Sequence, residues 1–244
     1  MKQGIFTVLE NEPLNERYFR LRLQGDCSGI ERPGQFAALS LPGFFLRRPF
    51  SVCDWDDASF TLICETVGKG TRALSELPAG FALDVLTGLG NGFDLSPSGE
   101  EPLLIGGGSG ASPLLGLARR LLAAGRAPRI ILGFNTQAEL ILLDAFSRLG
   151  LTPLVTTADG SFGLRGFVTD AMDLPHSYFY TCGPEAMMRA VAQKSPMGGQ
   201  LSFDACMGCG FGACMGCTRQ TVHGPRRVCK DGPVFDKEEI LWTD

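Results

Sequence analysis

Four cysteines near the C-terminus constrain this chain more than any other feature of its sequence. Cys209, Cys214, Cys217 and Cys229 stand in the order C-x4-C-x2-C-x11-C. This is the spacing of plant-type [2Fe–2S] proteins, whose clusters transfer single electrons. The interleaved glycines let the backbone fold tightly around an inorganic core and leave N–H groups free to face the sulfurs. The pattern predicts an iron–sulfur segment in a protein that carries electrons.

Cys206 leaves a second interpretation of the same segment open. With it the pattern becomes C-x2-C-x4-C-x2-C, which could bind zinc, although zinc sites usually separate their two cysteine pairs by a longer interval. A disulfide framework is disfavoured, because nine cysteines is an odd number and no secretory signal opens the sequence. We favour the iron–sulfur cluster and expect Cys206 to be a spare thiol beside it.

Charge and hydropathy exclude several classes of function. The net charge of the 244 residues is −4, and basic residues occur in runs no longer than a pair, which argues against a general nucleic-acid surface. No apolar stretch reaches the roughly 18 residues of a membrane-spanning helix, so we expect no membrane insertion. Free cysteines suit a reducing compartment, and we expect a cytoplasmic protein.

The first 98 residues have the composition of short β-strands separated by Gly, Pro and Asp. Several such strands in succession predict a small closed antiparallel barrel. One helix is predicted after Gly70, with Thr71 as its N-cap and the helix running over residues 72–77. The predicted strands are 6–12, 18–24, 34–41, 48–53, 59–67 and 81–86.

Residues 99–200 alternate between strand and helix patterns, which predicts a doubly wound parallel α/β domain. The first helix is expected to begin with Ser112 as its cap and Pro113 as its first residue. Another helix is predicted over residues 136–150, with Glu139 and Asp144 on its solvated face. With residues 201–244 as a small cluster-binding segment, the fold class is a multidomain α+β protein.

A glycine-rich turn follows the first strand of the α/β half. Gly107, Gly108 and Gly110 precede a helix, as in sites where backbone N–H groups face a dinucleotide pyrophosphate. Cys182 and Gly183 form a similar turn after a later strand. The alternative is a tight turn without a ligand, because the run is not a clean G-x-G-x-x-G. No acidic residue is clearly placed for a ribose and no basic pair for a 2′-phosphate, so we expect NAD.

Nicotinamide exchanges two electrons as a hydride, whereas a [2Fe–2S] cluster exchanges one. A flavin can accept a pair and release electrons singly, so the combination predicts a bound flavin between the two. Arg48 is a candidate to neutralise a pyrophosphate and Ser51 to hydrogen-bond the isoalloxazine ring. Gly70 and Thr71 could offer N–H groups to phosphate. No acid–base pair or nucleophile stands out as catalytic.

The order of motifs resembles one family along nearly the whole chain. RPFS, GKGT, GLGNGF, GGGSGASP, CGPEAMM and MGCGFGAC follow one another as in the electron-transfer subunit of type B dihydroorotate dehydrogenase, in the ferredoxin–NADP reductase superfamily. The resemblance implies an FAD-binding barrel, an NAD-binding domain and a C-terminal [2Fe–2S] segment. It also implies an FMN-containing catalytic partner, two copies of each chain in the complex, and a role in pyrimidine biosynthesis.

The resemblance also implies which residues bind each cofactor. The four cysteines at 209, 214, 217 and 229 would hold the cluster, and Cys182 would face the nicotinamide. The interval from Cys217 to Cys229 is short for the family, and Cys206 is atypical. FAD would be held by Arg48, Pro49, Phe50, Ser51, Ile63, Cys64, Glu65, Gly70 and Thr71.

Two other functions remain open from sequence. One is a related FAD and [2Fe–2S] reductase that uses NAD(P)H and serves ferredoxin or a sulfur compound. The other is a zinc-bearing binding or regulatory module on a similar scaffold.

Overall fold

Six strands of the N-terminal part close into an antiparallel barrel, as the sequence predicted. The computed structural model describes residues 1–242, so the last two residues of the predicted cluster segment lie outside it. Neighbouring strands pair in the order β1-β2-β5-β4-β3-β6. The strands are β1 (Lys2–Pro13), β2 (Tyr18–Gln24), β3 (Phe36–Leu39), β4 (Arg48–Trp55), β5 (Ser59–Glu65) and β6 (Ala82–Leu89).

Alternation of side chains along each strand fills the barrel. In β2, Phe19, Leu21 and Leu23 are buried in the interior, while Arg20 and Arg22 face outwards. This period of two is what a strand with one buried face requires. The barrel interior is therefore an apolar core, and ligands must bind on its outside.

Helix α1 (Lys69–Ser75) begins earlier than the sequence predicted. Thr71 is its third residue and not its N-cap. The Thr71 hydroxyl oxygen accepts hydrogen bonds from the backbone N–H groups of Val67 (2.9 Å) and Gly68 (3.1 Å). The threonine thus satisfies backbone donors from inside the first turn, while the extended Gly68 occupies the cap position.

The second half of the chain contains a seven-stranded sheet in the order β10-β9-β8-β7-β11-β12-β15. All neighbours are parallel except β15, which pairs antiparallel with β12. A separate hairpin, β13–β14, lies within the cysteine segment. The strands are β7 (Leu103–Gly107), β8 (Arg129–Phe134), β9 (Leu154–Thr157), β10 (Leu164–Arg165), β11 (Phe179–Cys182), β12 (Gly199–Ser202), β13 (Thr218–Thr221), β14 (Gly224–Arg227) and β15 (Val234–Asp236).

Three helices flank this sheet: α2 (Ala111–Ala123), α3 (Leu143–Arg148) and α4 (Glu185–Lys194). Helix α2 has Gly110 at its N-cap, so the prediction of Ser112 as the cap was wrong. The predicted helix over 136–150 was also wrong. A 3₁₀ turn occupies residues 137–139, and α3 starts only after Leu142, whose φ of +65° interrupts the helix. Ile141, just before this break, is buried in the core, and tertiary packing of this kind commonly overrides local propensity.

The barrel and the sheet pack directly against each other through α2 and β4. A Cβ atom at Gly116 would lie 2.7 Å from the carbonyl oxygen of Cys53, so only glycine permits this approach. Behind the sheet, Cys217 and Cys229 share a hydrophobic core with Ala38 of the barrel and Phe203. No helix among residues 1–242 has both the length and the apolar character to cross a bilayer.

Candidate functional site

A cleft of about 890 Å³ lies between the outside of the barrel and the carboxyl ends of the parallel strands. Strands β4 and β5 supply its barrel wall. The ends of β7, β8, β9 and β11 supply the opposite wall. Ligands of open α/β sheets bind at this edge, so the cleft is positioned for a nucleotide that reaches across to the barrel.

Twelve of the fourteen residues predicted to bind FAD or NAD line this one cleft. Two do not. Cys64 points into the barrel core, where it is fully buried. Gly70 is not among the lining residues; a Cβ there would come within 2.6 Å of the Arg48 Nε atom, so its lack of a side chain makes room for the guanidinium. The lining residues are Arg48, Pro49, Phe50, Ser51, Ile63, Glu65, Thr71, Gly107, Gly108, Gly110, Cys182 and Gly183.

The two glycine turns approach each other so closely that side chains would not fit. A Cβ at Gly110 would lie 2.1 Å from the carbonyl oxygen of Cys182, and one at Gly107 would lie 2.5 Å from the Met187 sulfur. Gly108 has a φ of +53°, which favours glycine. No side chains cover the backbone at the start of α2, so its N–H groups can face a pyrophosphate. This cradle fits a dinucleotide.

Cys182 borders the cleft at the end of β11. Burial raises the pKa of its thiol to about 12, against a smaller opposing effect of a hydrogen bond with the Ser202 side chain. The thiol is consequently neutral near pH 7 and presents no thiolate to the cleft.

Sequence reasoning missed the pairing of Arg17 with two carboxylates that line the cleft. Arg17 pairs with Glu65 on β5 (2.7 Å) and with Glu139 beyond β8 (2.9 Å), and all three line the cleft. The prediction that Glu139 lies on a solvated helix face was therefore wrong. Glu139 lies on the 3₁₀ turn 137–139. No motif signals this contact, because Arg17 and Glu139 are 122 residues apart.

Tyr18 was also missed. Its ring is almost fully buried beside Arg17 and borders the cleft opposite Gly108. Burial is the main cause that raises the pKa of Tyr18 to about 12, with a further contribution from the Glu65 carboxylate. The phenol therefore stays neutral in the physiological range.

The sulfurs of the cysteine segment receive backbone hydrogen bonds, as the glycine pattern predicted. Cys209 Sγ accepts from the N–H groups of Ala213 (3.2 Å) and Cys214 (3.4 Å), and Cys217 Sγ accepts from Cys229 N–H (3.4 Å). Such bonds stabilise thiolates and tune cluster potentials. The donor set, four thiols with N–H groups directed at them, fits an iron–sulfur cluster.

The four sulfurs differ in burial. Cys217 and Cys229 are buried, whereas Cys214 is exposed. Burial, followed by the neighbouring Cys217 thiol, raises the pKa of Cys229 to about 12. Within residues 1–242 no three acidic, cysteine or histidine side chains are gathered in a metal-binding arrangement. Cys206 is exposed.

Comparison with known protein families agrees with a nucleotide-binding cleft and an iron–sulfur segment. The family model of the iron–sulfur cluster binding domain of dihydroorotate dehydrogenase B matches residues 204–241. The oxidoreductase NAD-binding domain matches residues 104–193. The chain is thus an NAD-linked oxidoreductase subunit with an iron–sulfur segment, as predicted.

Among solved structures, the NADH-dependent reduced ferredoxin–NADP oxidoreductase, studied for flavin-based electron bifurcation, is 30% identical with a TM-score of 0.89. The match covers 98% of this chain and 90% of that one. Phthalate dioxygenase reductase, described as transferring electrons from pyridine nucleotides to [2Fe–2S], is 20% identical with a TM-score of 0.64 over 79% of this chain and 64% of its own, and shows a shared fold. The predicted set of FAD, [2Fe–2S] and NAD agrees with these comparisons.

Curated relatives match along the whole chain. The dihydroorotate dehydrogenase B (NAD(+)) electron transfer subunit of Bacillus mycoides is 37% identical over 98% of both chains. That of Bacillus caldolyticus is 38% identical over 96% of this chain and 97% of its own. The resemblance predicted from the motifs is confirmed: this chain belongs to the family of dihydroorotate dehydrogenase B (NAD(+)) electron transfer subunits.

Proposed function

We propose that this chain passes electrons from an FMN-containing dihydroorotate dehydrogenase subunit, through its [2Fe–2S] cluster and FAD, to NAD⁺ in pyrimidine biosynthesis. The observation that carries the proposal is the shared packing of the cleft and the sulfur segment. Phe203 lines the cleft and belongs to the same core as Cys217 and Cys229. Asp204 also borders the cleft, only five residues before Cys209.

The cleft residues divide into a flavin side and a nicotinamide side. On the barrel, Arg48 is placed to neutralise a pyrophosphate and Ser51 to hydrogen-bond the isoalloxazine. On the sheet, the bare backbone at Gly107 and Gly110 accepts the second pyrophosphate, and the neutral Cys182 thiol faces the nicotinamide. When bound, the flavin supplies the exchange between a hydride and single electrons.

The proposal assigns the cluster to Cys209, Cys214, Cys217 and Cys229, with Cys206 left free. It divides the chain into a barrel (1–98), an α/β domain (99–200) and a cluster segment (201–244). The sheet continues beyond residue 200, because β15 of the last segment pairs with β12. The segments are therefore units of cofactor binding that share their packing.

The proposed partner is an FMN-containing catalytic subunit, in a cytoplasmic complex of two copies of each chain. The names of the relatives as electron transfer subunits support a partner. The sulfur segment also presents exposed Cys214 together with the apolar side chains of Phe211 and Met215. An exposed apolar patch at the cluster suits a protein that exchanges electrons with another protein.

Anaerobic purification with and without the catalytic subunit tests the proposal. We expect one FAD and two irons per chain, and reduction of ferricyanide by NADH in the isolated chain. Dihydroorotate-dependent reduction of NAD⁺ should require the FMN subunit. A colourless protein, or zinc on the terminal cysteines, would overturn the assignment.

A second candidate is an NAD(P)H-dependent reductase that serves ferredoxin or a sulfur compound. The whole-chain similarity to the ferredoxin–NADP oxidoreductase structure favours it. Assays of the isolated chain with ferredoxin and with polysulfide as acceptors distinguish the two. Fast turnover with either acceptor, and none with the dihydroorotate-oxidising subunit, would favour the reductase.

A further inference from the structure

We propose that Arg219, from the cysteine segment, prepares the cleft for an anionic pyridine dinucleotide by neutralising the Glu185 carboxylate. The inference rests on the proposed NAD-linked function and deepens it. Arg219 is not among the residues that line the cleft, so it acts through Glu185 as a positioning residue. The evidence is the place of Glu185, its two hydrogen bonds with Arg219, and the charges of the cleft wall.

Glu185 lies beside the turn at which we place the dinucleotide pyrophosphate. It is the first residue of α4, two residues after Gly183, and it lines the cleft. A Cβ atom on Gly183 would lie 3.0 Å from the backbone nitrogen of Gly107, so this turn touches the glycine turn that follows β7. A carboxylate and a pyrophosphate repel each other at short range, and an unbalanced Glu185 would therefore weaken dinucleotide binding.

Arg219 balances this carboxylate with a bidentate contact. Its Nη1 atom donates to Glu185 Oε2 (3.0 Å), and its Nη2 atom donates to Glu185 Oε1 (2.6 Å). Paired hydrogen bonds between an arginine and a carboxylate are strong and directional. They are the main cause that lowers the pKa of Glu185, so the carboxylate is ionised near pH 7 and the pair carries no net charge.

Two aromatic rings hold the Arg219 guanidinium in this position. Its Cζ atom lies 3.9 Å from the centre of the Phe203 ring and 5.6 Å from the centre of the Trp242 ring. A guanidinium stacks well on such ring faces. Only 16% of the Arg219 side chain is exposed, compared with 54% for Glu185. The position of the cation is therefore fixed by its surroundings, unlike that of a mobile surface side chain.

The charges of the cleft wall are mostly acidic. Among the described residues that line it, the acidic ones are Glu65, Glu139, Glu185 and Asp204, and the basic ones are Arg17 and Arg48. Arg17 already pairs with Glu65 and Glu139, and Arg48 lies on the barrel. Positive charge for Glu185 thus comes from behind the wall, chiefly from Arg219, with a smaller favourable effect of Arg189 on α4.

Calorimetric binding of ADP-ribose to the FAD-loaded protein tests the inference, because this fragment carries the pyrophosphate and cannot be reduced. In Arg219→Gln the Kd should rise by about tenfold, as expected for one uncompensated charge near the ligand. The rise should shrink when NaCl is increased from about 0.05 to 0.5 M, since salt screens repulsion between charges. In the assay with NADH and ferricyanide, KM should rise in parallel while kcat changes by less than about twofold.

Removal of the carboxylate separates charge balance from structural support. Glu185→Gln leaves Arg219 unopposed, so ADP-ribose should bind at least as tightly as in wild type. The double variant Glu185→Gln with Arg219→Gln should bind within about twofold of wild type. Arg219→Lys keeps the charge and should lose less affinity than Arg219→Gln.

Arg148→Gln is the matched control, because it removes one positive charge from the exposed surface of α3 outside the cleft. Its Kd for ADP-ribose should equal that of the wild type. Flavin content and urea midpoints, measured for every variant, show that the compared proteins are folded.

The outcomes separate this inference from the function on which it rests. If the wild type binds neither ADP-ribose nor NADH, the NAD-linked function fails and the inference fails with it. If the wild type binds both, two results overturn the inference alone: an unchanged Kd in Arg219→Gln at low salt, or a double variant that binds as weakly as Arg219→Gln. If Arg219→Gln does not retain FAD, Glu185→Gln decides, since weaker binding in that single variant contradicts the charge argument.

Discussion

The cleft and the cysteine segment are built in opposite ways. The cleft walls are strand ends and glycine turns, held by backbone contacts such as that of Gly110 with Cys182. In the cysteine segment, Cys217 and Cys229 are fixed in the core, while Cys209 and Cys214 lie on a partly exposed glycine loop. The difference teaches that regular strands hold the nucleotide cleft, whereas half of the cysteines depend on a loop, so we expect metal binding to order that loop more than the cleft.

The largest expected effect would come from removing a buried sulfur. Cys229→Ser should abolish the visible absorption of the cluster while leaving one FAD per chain, because none of the four proposed cysteine ligands of the segment lines the cleft. A hydroxyl buried in that core should also lower the free energy of unfolding by about 1–3 kcal/mol. Absorption spectra, flavin content and urea titration measure the three quantities.

Cys206→Ser is the matched control for that variant, since it removes an exposed cysteine three residues before the first proposed ligand. It should keep both chromophores. Loss of the cluster in this variant would show that the zinc-like C-x2-C pattern, and not the plant-type pattern, describes the site.

A steric clash in the cleft should impair the nucleotide site and leave the cluster intact, which is the reverse of the result expected for Cys229→Ser. Gly110→Ala places a Cβ against the carbonyl oxygen of Cys182, so NADH-dependent ferricyanide reduction should fall by about a hundredfold while the cluster spectrum persists. Overpacking of this kind costs about 1–3 kcal/mol of stability. In Gly4→Ala, on β1, the added Cβ has an ordinary contact of 3.5 Å with Phe6, so activity should remain. Equal loss in both variants would contradict the role of the turn.

Removal of iron should loosen one region and not the other. After chelation we expect amide hydrogen exchange to increase about tenfold or more in residues 205–216, while the cleft strands β4 and β7 keep their protection. Mass spectrometry of the exchanged peptides measures both. A matching loss of protection in the cleft would show that the two sites are not independently organised.

The smallest expected effect is a change of stability with pH, which depends on the exclusion of water from the Tyr18 phenol. Burial, and then the Glu65 carboxylate, raises the pKa of Tyr18 to about 12, compared with about 10 in an unfolded chain. The folded state favours the neutral phenol, so stability falls as pH rises from about 10 through 12. The urea midpoint should therefore drop less in Tyr18→Phe than in wild type over that range. An identical drop would indicate that water reaches the phenol.

The sequence predicted the parts of this molecule that depend on local spacing. The cysteine pattern, the glycine turns and the alternation of strands all follow from neighbours a few residues apart, and the barrel and parallel sheet were predicted from them. Arg17 and Glu139 were not found as a pair, because only the packing of barrel against sheet brings them together. The helix expected over 136–150 is interrupted at Leu142, whose φ of +65° no local pattern signals.

The order of the last sheet strands has a consequence for how this family can vary. The chain leaves the sheet after β12, forms the cysteine segment and returns as β15 beside the strand that it left. The backbone N–H of Phe203 donates to the carbonyl of Pro233 (2.9 Å), which ties the two ends together. The segment between these two residues is a long loop whose ends are in contact, and the length of such a loop can change at little entropic cost. Changes of length within the segment between these two residues therefore leave the pairing of β12 with β15 intact.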